Sequence, residues 1–380
     1  MRKVILVNVL IFLAGLALLE VVFGSWFSDT PALYNFTKPR NVQKTYRSQF
    51  PGQPEVSTYT VDRYGFRGLD GNLDDIFILT VGGSTTDQKY IDDSFTFEAW
   101  LQKLYAADGR DVDVVSAGID GQSTFGHLAN FSFWFEKLPQ LRPSYILYYL
   151  GVNDFYRLQE IPKFDQIEGA GAKARMRAAF SYAKDRSALI AGAKVIKSLV
   201  APPRVAHFRS GAPIPWSQAD WTTQALIEDY RTPQVLESLS LLQSRIAKLA
   251  NQTRRIGAEP IFVTQRSSSW MEHDGRIWGL KKTLARRNAD ALQGLGPMTG
   301  VDHHELERMQ AEAILDTCRS LNGICINLFG DIQFDNVRDF YDVVHTTPAG
   351  SKKIAEFLYS HLRYIGPQSQ KVGDRRPHSN

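Results

Sequence analysis

Residues 76–86 read Ile-Phe-Ile-Leu-Thr-Val-Gly-Gly-Ser-Thr-Thr. A short, nearly continuous apolar run that stops at a glycine pair predicts a buried strand, Ile76–Val81, entering a turn. The same pattern recurs along the chain. Val112–Ser116, Tyr145–Leu150, Pro260–Thr264 and Ile324–Leu328 are further strands of this kind. Helical patterns lie between and after them, at Ser94–Ala107, Ser123–Leu138, Pro233–Arg255, Asp302–Leu321 and Pro348–Tyr364. Asp302 and Glu305 are read as the capping box of the fourth. Apolar strands alternating with helices specify a parallel sheet covered on both faces. The expected fold is therefore α/β: a three-layer α/β/α sandwich around a parallel sheet of about five strands.

In such sheets the sites lie beyond the carboxyl ends of the strands. Gly82-Gly83-Ser84-Thr85-Thr86 follows the first strand, and Ala117-Gly118-Ile119-Asp120-Gly121-Gln122 the second. Gly151-Val152-Asn153-Asp154 follows the third, and Tyr341-Asp342-Val343-Val344-His345 precedes the last helix. A serine at the start of a turn into a helix is exposed and suits a nucleophile, but it needs a base. His345 can be that base. Asp342, three residues earlier, can hold the other imidazole nitrogen. The backbone N–H groups of Ser84 and Gly121 and the side-chain amide of Asn153 can stabilise an oxyanion.

Together these four pieces resemble the blocks of the SGNH (GDSL-like) hydrolase superfamily, over roughly residues 62–365. Tyr64-Gly65-Phe66-Arg67-Gly68 resembles the lead-in of membrane-anchored, extracytoplasmic members, and Thr347-Pro348-Ala349-Gly350 the start of the family's last helix. The resemblance implies a flavodoxin-like SGNH fold with Ser84 as nucleophile and His345 as base. It makes Asp342 the orienter and completes the oxyanion hole with Gly121 and Asn153. Two positions depart from the pattern: Gly83 stands where the family has aspartate, and Ser116 where an asparagine often opens the second block. The α/β-hydrolase nucleophile motif, Gly-x-Ser-x-Gly, fits less well, since Thr86 occupies its second glycine.

The formal net charge is +4. Arg2 and Lys3 supply two of these charges. Lys371–Asn380, with three basic residues and one acidic, supplies two more. The rest sums to zero, which is a poor basis for nucleic-acid binding. Residues 4–26 are apolar apart from Asn8, Glu20 and Ser25, and Arg2 and Lys3 precede them. About 20 apolar residues are long enough to span a bilayer. The positive-inside rule then puts Met1 in the cytoplasm and the body outside, in the periplasm or at the cell surface. A cleaved signal peptide cut after Val22 and Gly24, giving a secreted protein, and a buried core helix are the alternatives. In an oxidising space Cys318 and Cys325 become a candidate disulfide; otherwise they are two buried thiols.

The chain thus divides into an anchor (1–27), a stalk (28–61), the hydrolase domain (62–366) and a disordered basic tail (367–380). Residues 155–232 and 266–300 are read as insertions. Asp154 and Arg266 are possible substrate-binding residues, since both lie beside strand ends. His303 and His304 point about 100° apart on a helix and are read as solvated rather than as a metal pair. His127 is read as a core or near-site residue. Trp216, Trp221, Trp270 and Trp278 are read as filling the insertions, with sugar stacking as their other use. The expected function is hydrolysis of an ester, an O-acetyl first, on cell-envelope carbohydrate or lipid. It proceeds through an acyl-enzyme on Ser84 and calls for no metal or organic cofactor. An O-acetyltransferase acting on an exported polysaccharide would use the same residues. A non-catalytic envelope-binding or assembly protein is the reading from another class.

Overall fold

The computed structural model describes residues 2–24, 26–27, 40–48, 50–155, 186–200, 204–205, 216, 219–281, 295 and 297–366, with four scattered positions between 176 and 183. Helix α1 (Arg2–Phe23) is exposed along nearly its whole length. Among the described residues it is the one helix long and apolar enough to cross a membrane.

Strands β1 (Val42–Arg47) and β2 (Val56–Val61) form an antiparallel hairpin with Val42 opposite Val61. Tyr46, Tyr59 and Val61 are buried in it, and Tyr90 of the main domain meets Tyr46 edge-on at 5.1 Å. The second half of the expected stalk is therefore packed structure. The alternation was hidden because Ser57 shares the buried face while threonines fill the other.

The domain's chain then runs β3 (Ile76–Gly82), α2 (Ser84–Asp87), α3 (Phe97–Ala107), β4 (Asp113–Ser116), α4 (Thr124–Phe133), β5 (Tyr145–Leu150) and α5 (Val152–Phe155). Helix α6 (Ala188–Val200) and short strands β6 (Arg204–Val205) and β7 (Trp221–Thr222) are the described elements of the first insertion. Next come α7 (Pro233–Arg255), β8 (Glu259–Thr264), β9 (Trp270–His273), β10 (Arg276–Leu280), α8 (Gly300–Ser320) and β11 (Ile324–Ile326). The chain closes with α9 (Leu328–Asp331), α10 (Asn336–Asp339) and α11 (Pro348–Leu362).

Five strands make the central sheet in the order β11-β8-β5-β3-β4, and every pairing is parallel. All residues of β3 and β5 are buried, as strands covered on both faces must be. One core cluster joins the sheet to α4, α7 and α8 through Phe131, Leu242, Ile246, Leu249 and Ile314. The other joins it to α3 and α11 through Phe97, Leu101, Tyr105, Ile354 and Leu358. This is the expected three-layer sandwich. The second insertion contributes β9 and β10, and β10 pairs with both β9 and β7 in a small antiparallel sheet. Residues 282–294 of that insertion, most of the first and the tail 367–380 lie outside the described residues.

Three readings are corrected. Helix Ser123–Leu138 breaks at Trp134, whose φ of −131° leaves the helical region. There the indole N–H reaches back 2.6 Å to the Tyr64 carbonyl and the ring stacks on Phe66 at 4.8 Å, so tertiary packing overrides the helical period. Helix α8 starts at Gly300: its capping box is Thr299 with Asp302, while Glu305 pairs with Arg308. His303 is buried rather than solvated, and His304 packs edge-on against Trp270 at 4.5 Å. Burial pushes both imidazoles down to about 4. Cys318, at the end of α8, and Cys325, in β11, are disulfide-bonded.

Candidate active site

The order of the sheet places β3 between β4 and β5. The three turns leaving these strands therefore meet at one edge. Gly82 accepts from the Ile119 N–H at 3.0 Å, which fastens the turn after β4 to the turn after β3. Asn153, at the start of α5, donates its side-chain amide to the Gln122 carbonyl at 2.8 Å. Gly83 lies under that contact. A Cβ built there would meet Asn153 Nδ2 at 1.9 Å and the Gln122 carbonyl at 3.0 Å. Any side chain at 83 would therefore make the Asn153 amide shift. Gly121 has φ +78°, a left-handed conformation that suits glycine.

The fourth piece arrives from the far end of the domain. Phe340 and Thr346 bridge antiparallel, and Tyr341 N–H donates to the His345 carbonyl at 3.0 Å. This tight loop presents His345 toward β3. His345 Nε2 lies 2.8 Å from Ser84 Oγ. His345 Nδ1 lies 2.7 Å from Asp342 Oδ2 and 3.0 Å from Oδ1. Asp342 Oδ1 also accepts from the backbone N–H groups of Val344 and His345 at 2.9 and 2.8 Å. Ser268 Oγ donates to the Asp342 carbonyl at 2.9 Å, tying the loop to the segment after β8.

The electrostatics follow from these contacts. Burial alone disfavours the His345 imidazolium, but the charge and hydrogen bond of Asp342, helped by Asp120, outweigh it and raise the pKa above the ordinary value. Burial likewise disfavours the Asp342 carboxylate. The charge and hydrogen bond of His345 and two backbone N–H groups outweigh this and hold it below the carboxylate range. An aromatic stack walls one side: Tyr341 lies nearly parallel to the His345 ring, 8° between planes at 5.5 Å, and Phe50 of the hairpin loop stacks on Tyr341 at 4.9 Å.

The structure thus brings Ser84, His345 and Asp342 into one hydrogen-bonded chain and sets Asn153 and the 119–122 turn beside it. Two candidates are directed elsewhere. Asp154 is buried and accepts from Thr124 N–H and Oγ1, the latter at 2.6 Å, with Arg245 at 3.7 Å. It holds the start of α4 against α5. Arg266 is also buried, its guanidinium 3.7 Å from the Trp270 ring centroid and hydrogen-bonded to the Trp270 carbonyl at 3.0 Å. Burial lowers its pKa to about 10, with Glu307 opposing. Trp270 is buried with Ala311 and Phe329, and Trp216 stacks on Trp221 at 6.1 Å. His127 is buried in α4.

Other residues support the nucleophile turn and were not singled out in the sequence. Arg67 is buried and donates through Nε to Asp93 Oδ1 at 2.7 Å. Its other nitrogens donate to the carbonyls of Asp87, Gln88 and Ile91 at 2.8, 2.9 and 2.5 Å. Gln265 donates to Thr85 Oγ1 at 2.8 Å and accepts from Val152 N–H at 3.0 Å, linking α2 to α5. Glu98, with a pKa raised by burial to about 7, accepts from Thr80 Oγ1 and Gln88 Nε2, each at 2.7 Å. Arg67 carried a signal, being a basic residue inside the lead-in motif. Gln265 and Glu98 carried none, because their partners are set only by the sheet order.

A comparison with curated proteins finds no match. Among solved structures the chain is similar to the psychrotrophic esterase EstA from Pseudoalteromonas sp., at 12% identity and a TM-score of 0.40, covering 76% of this chain and 97% of that one. It is also similar to Axe2, an acetylxylan esterase from Geobacillus stearothermophilus, at 13% identity and a TM-score of 0.38, covering 77% and 97%. TesA matches at 15% identity with a TM-score of 0.37, covering 76% and 98%. The family model for GDSL-like lipase/acylhydrolase matches residues 78–358, a span that contains Ser84, Gly121, Asn153, Asp342 and His345. The chain belongs to the GDSL-like lipase/acylhydrolase family, within the SGNH superfamily.

Proposed function

We propose that this chain is a serine carboxylic-ester hydrolase working through an acyl-enzyme on Ser84, and that its substrate is an O-acetyl ester on cell-envelope carbohydrate or lipid. The observation that carries the reading is the chain of hydrogen bonds Ser84 Oγ–His345 Nε2–Asp342, with contacts of 2.8 and 2.7 Å. A serine hydroxyl is hardly ionised near neutral pH, so it attacks a carbonyl only as a base removes its proton. His345 takes that proton on Nε2. Asp342 keeps Nδ1 protonated and stabilises the imidazolium that forms. The oxyanion is held by the backbone N–H groups of Ser84 and Gly121 and by Asn153 Nδ2. The imidazolium then protonates the leaving alcohol. Water, activated by the same imidazole, releases the acid and restores Ser84.

The envelope part of the reading is supported by α1. An exposed apolar helix behind Arg2 and Lys3 fits an uncleaved anchor with the catalytic domain outside the cytoplasm. The Cys318–Cys325 disulfide fits an oxidising compartment.

The test is release of p-nitrophenol from acetyl and octanoyl esters by the full chain in detergent, beside Ser84→Ala. Acetyl turnover that Ser84→Ala abolishes is the expected result. A preference for octanoyl overturns the acetyl assignment and makes the substrate a lipid acyl ester. No turnover of any ester, including acetylated oligosaccharide, by folded wild-type protein overturns the hydrolase reading.

A further inference from the structure

Glu20, near the end of α1, reaches a helix that begins 168 residues later in the chain. Its carboxylate accepts from the backbone N–H groups of Ala188 and Leu189 at 3.0 and 3.2 Å and from Ser187 Oγ at 2.5 Å. The Trp26 indole N–H donates to it at 2.8 Å. Glu20 thus satisfies the first free N–H groups of α6, where a negative charge is also favoured by the helix dipole.

The lengths fix what α6 can do. From Lys3 to Glu20 an α-helix advances about 26 Å, close to the ~30 Å of a bilayer's hydrocarbon core. Glu20 therefore marks the far boundary of that core, and α6 begins there. With 13 residues, α6 is about 20 Å long, too short to cross. Leu189 and Ile196 lie two turns apart on one face, with Gly192 and Ala193 between them, and all four are exposed. Ile196 is 64% exposed. Upstream in the same insertion, Met176 and Phe180 are 74% and 68% exposed. Large apolar side chains gathered on one exposed stretch mark a binding surface. The sequence from Lys173 to Lys197 carries seven basic residues and one acidic, a net +6 within a body (residues 4–370) that sums to zero. Such a segment is attracted to anionic lipid headgroups.

We propose that α6 lies in the plane of the membrane, with its Leu189–Ile196 face in the boundary between headgroups and acyl chains of an anionic leaflet, docked on the anchor through Glu20. The proposal rests on the reading of α1 as an anchor. It holds the catalytic domain to the bilayer at two points.

The test uses the full chain in vesicles of phosphatidylcholine with phosphatidylglycerol, and in phosphatidylcholine alone. Both native cysteines are paired, so one added cysteine takes an environment-sensitive fluorophore. Ile196→Cys and Leu189→Cys report on α6, Leu10→Cys on α1, and Val337→Cys, at an exposed position of α10, on the body. The expected result is a blue shift at positions 189, 196 and 10, with quenching by spin-labelled acyl chains, and neither effect at 337. Replacing the anionic lipid weakens quenching at 196 and leaves 10 unchanged. If 10 is quenched while 189 and 196 behave as 337 does, the anchor stands and this proposal fails. If 10 is unquenched as well, the anchor reading fails with it. A blue shift at 189 and 196 without quenching means that protein covers the face, which overturns the lipid assignment.

Discussion

His345 Nε2 and Ser84 Oγ meet at 2.8 Å although 261 residues separate them in the chain. A chance polar contact would not also carry a carboxylate 2.7 Å behind the other ring nitrogen. Ser84→Ala removes the attacking oxygen and leaves the fold, because Ser84 is half-buried and its side chain supports nothing else among the described contacts. Ester hydrolysis falls by about 10⁴-fold or more, as when a triad nucleophile is lost. Steady-state turnover of p-nitrophenyl acetate measures it, with circular dichroism to show an unchanged fold. Activity within tenfold of wild type would remove Ser84 from the chemistry.

Asp342 sets the pH dependence. His345 acts as base only when neutral, and its pKa is raised above the ordinary 6.5 despite burial, because of Asp342. The acid limb of kcat/KM therefore has its midpoint above 6.5. Asp342→Asn moves that midpoint down and lowers kcat about 10⁴-fold. Stability carries the opposite signs at the two ends. The raised His345 contributes stability that is full below its unfolded pKa and is lost as pH rises through the folded value. The lowered Asp342 contributes stability present above its unfolded pKa and lost as pH falls through the folded value. A pH–rate profile whose midpoint does not move in Asp342→Asn would break the assignment.

Asn153 tests the oxyanion hole apart from the base. Asn153→Ala lowers kcat by about 10²–10³-fold, since such a donor acts mainly on charge that develops in the transition state. KM changes much less. Gly83→Ala reaches the same end by steric means: its Cβ takes the space 1.9 Å from the amide nitrogen. Both variants keep the acid limb of the pH profile where wild type has it. A raised KM with kcat unchanged would make Asn153 a ground-state binder instead.

The sheet and the four site pieces were legible because each depends on local pattern. Five strands read as apolar runs, and each site piece follows a strand or precedes a helix. What stayed hidden depends on partners distant in sequence. Trp134 leaves its helix to reach Tyr64, Asp302 serves as third residue of a box begun by Thr299, and Arg266 turns inward onto Trp270. The β1–β2 hairpin is hidden for a different reason: polar Ser57 sits on its buried face, so the alternation of apolar and polar residues does not show. Phe50, which that hairpin brings to the edge of the site, was lost with it.

The disulfide separates stability from chemistry. Cys318 and Cys325 are seven residues apart and join α8 to the edge strand β11, away from the β3, β4 and β5 ends that carry the site. Closing a loop of this size contributes about 2.5 kcal/mol by restricting the unfolded chain. Reduction, or the double variant Cys318→Ala with Cys325→Ala, therefore lowers the thermal midpoint while turnover at 25 °C persists. A thiol titration of the unreduced, denatured protein finds none; two free thiols would remove the bond.

Arg67 is the strongest test of the lead-in motif. Its guanidinium is buried, and one cation holds Asp93 and the carbonyls of residues 87, 88 and 91, the segment directly after the nucleophile turn. Arg67→Ala takes the guanidinium from all four acceptors, although Asp93 keeps Thr60 N–H and Oγ1 and the Gln88 carbonyl keeps the Ile91 N–H. With Asp93 only partly buried, the cost is about 3 kcal/mol, the lower end of the range for breaking a buried pair from one side. Arg67→Lys recovers little, because an ammonium lacks the planar fork that reaches several acceptors at once. Since α2 starts at Ser84, kcat falls alongside stability, with the acid limb of the pH profile unmoved because the His345–Asp342 pair is untouched. Urea unfolding and single-turnover acylation measure the two effects on the same protein. Lost stability with unchanged acylation would confine Arg67 to the fold and leave Ser84 positioned by β3 and Gln265 alone.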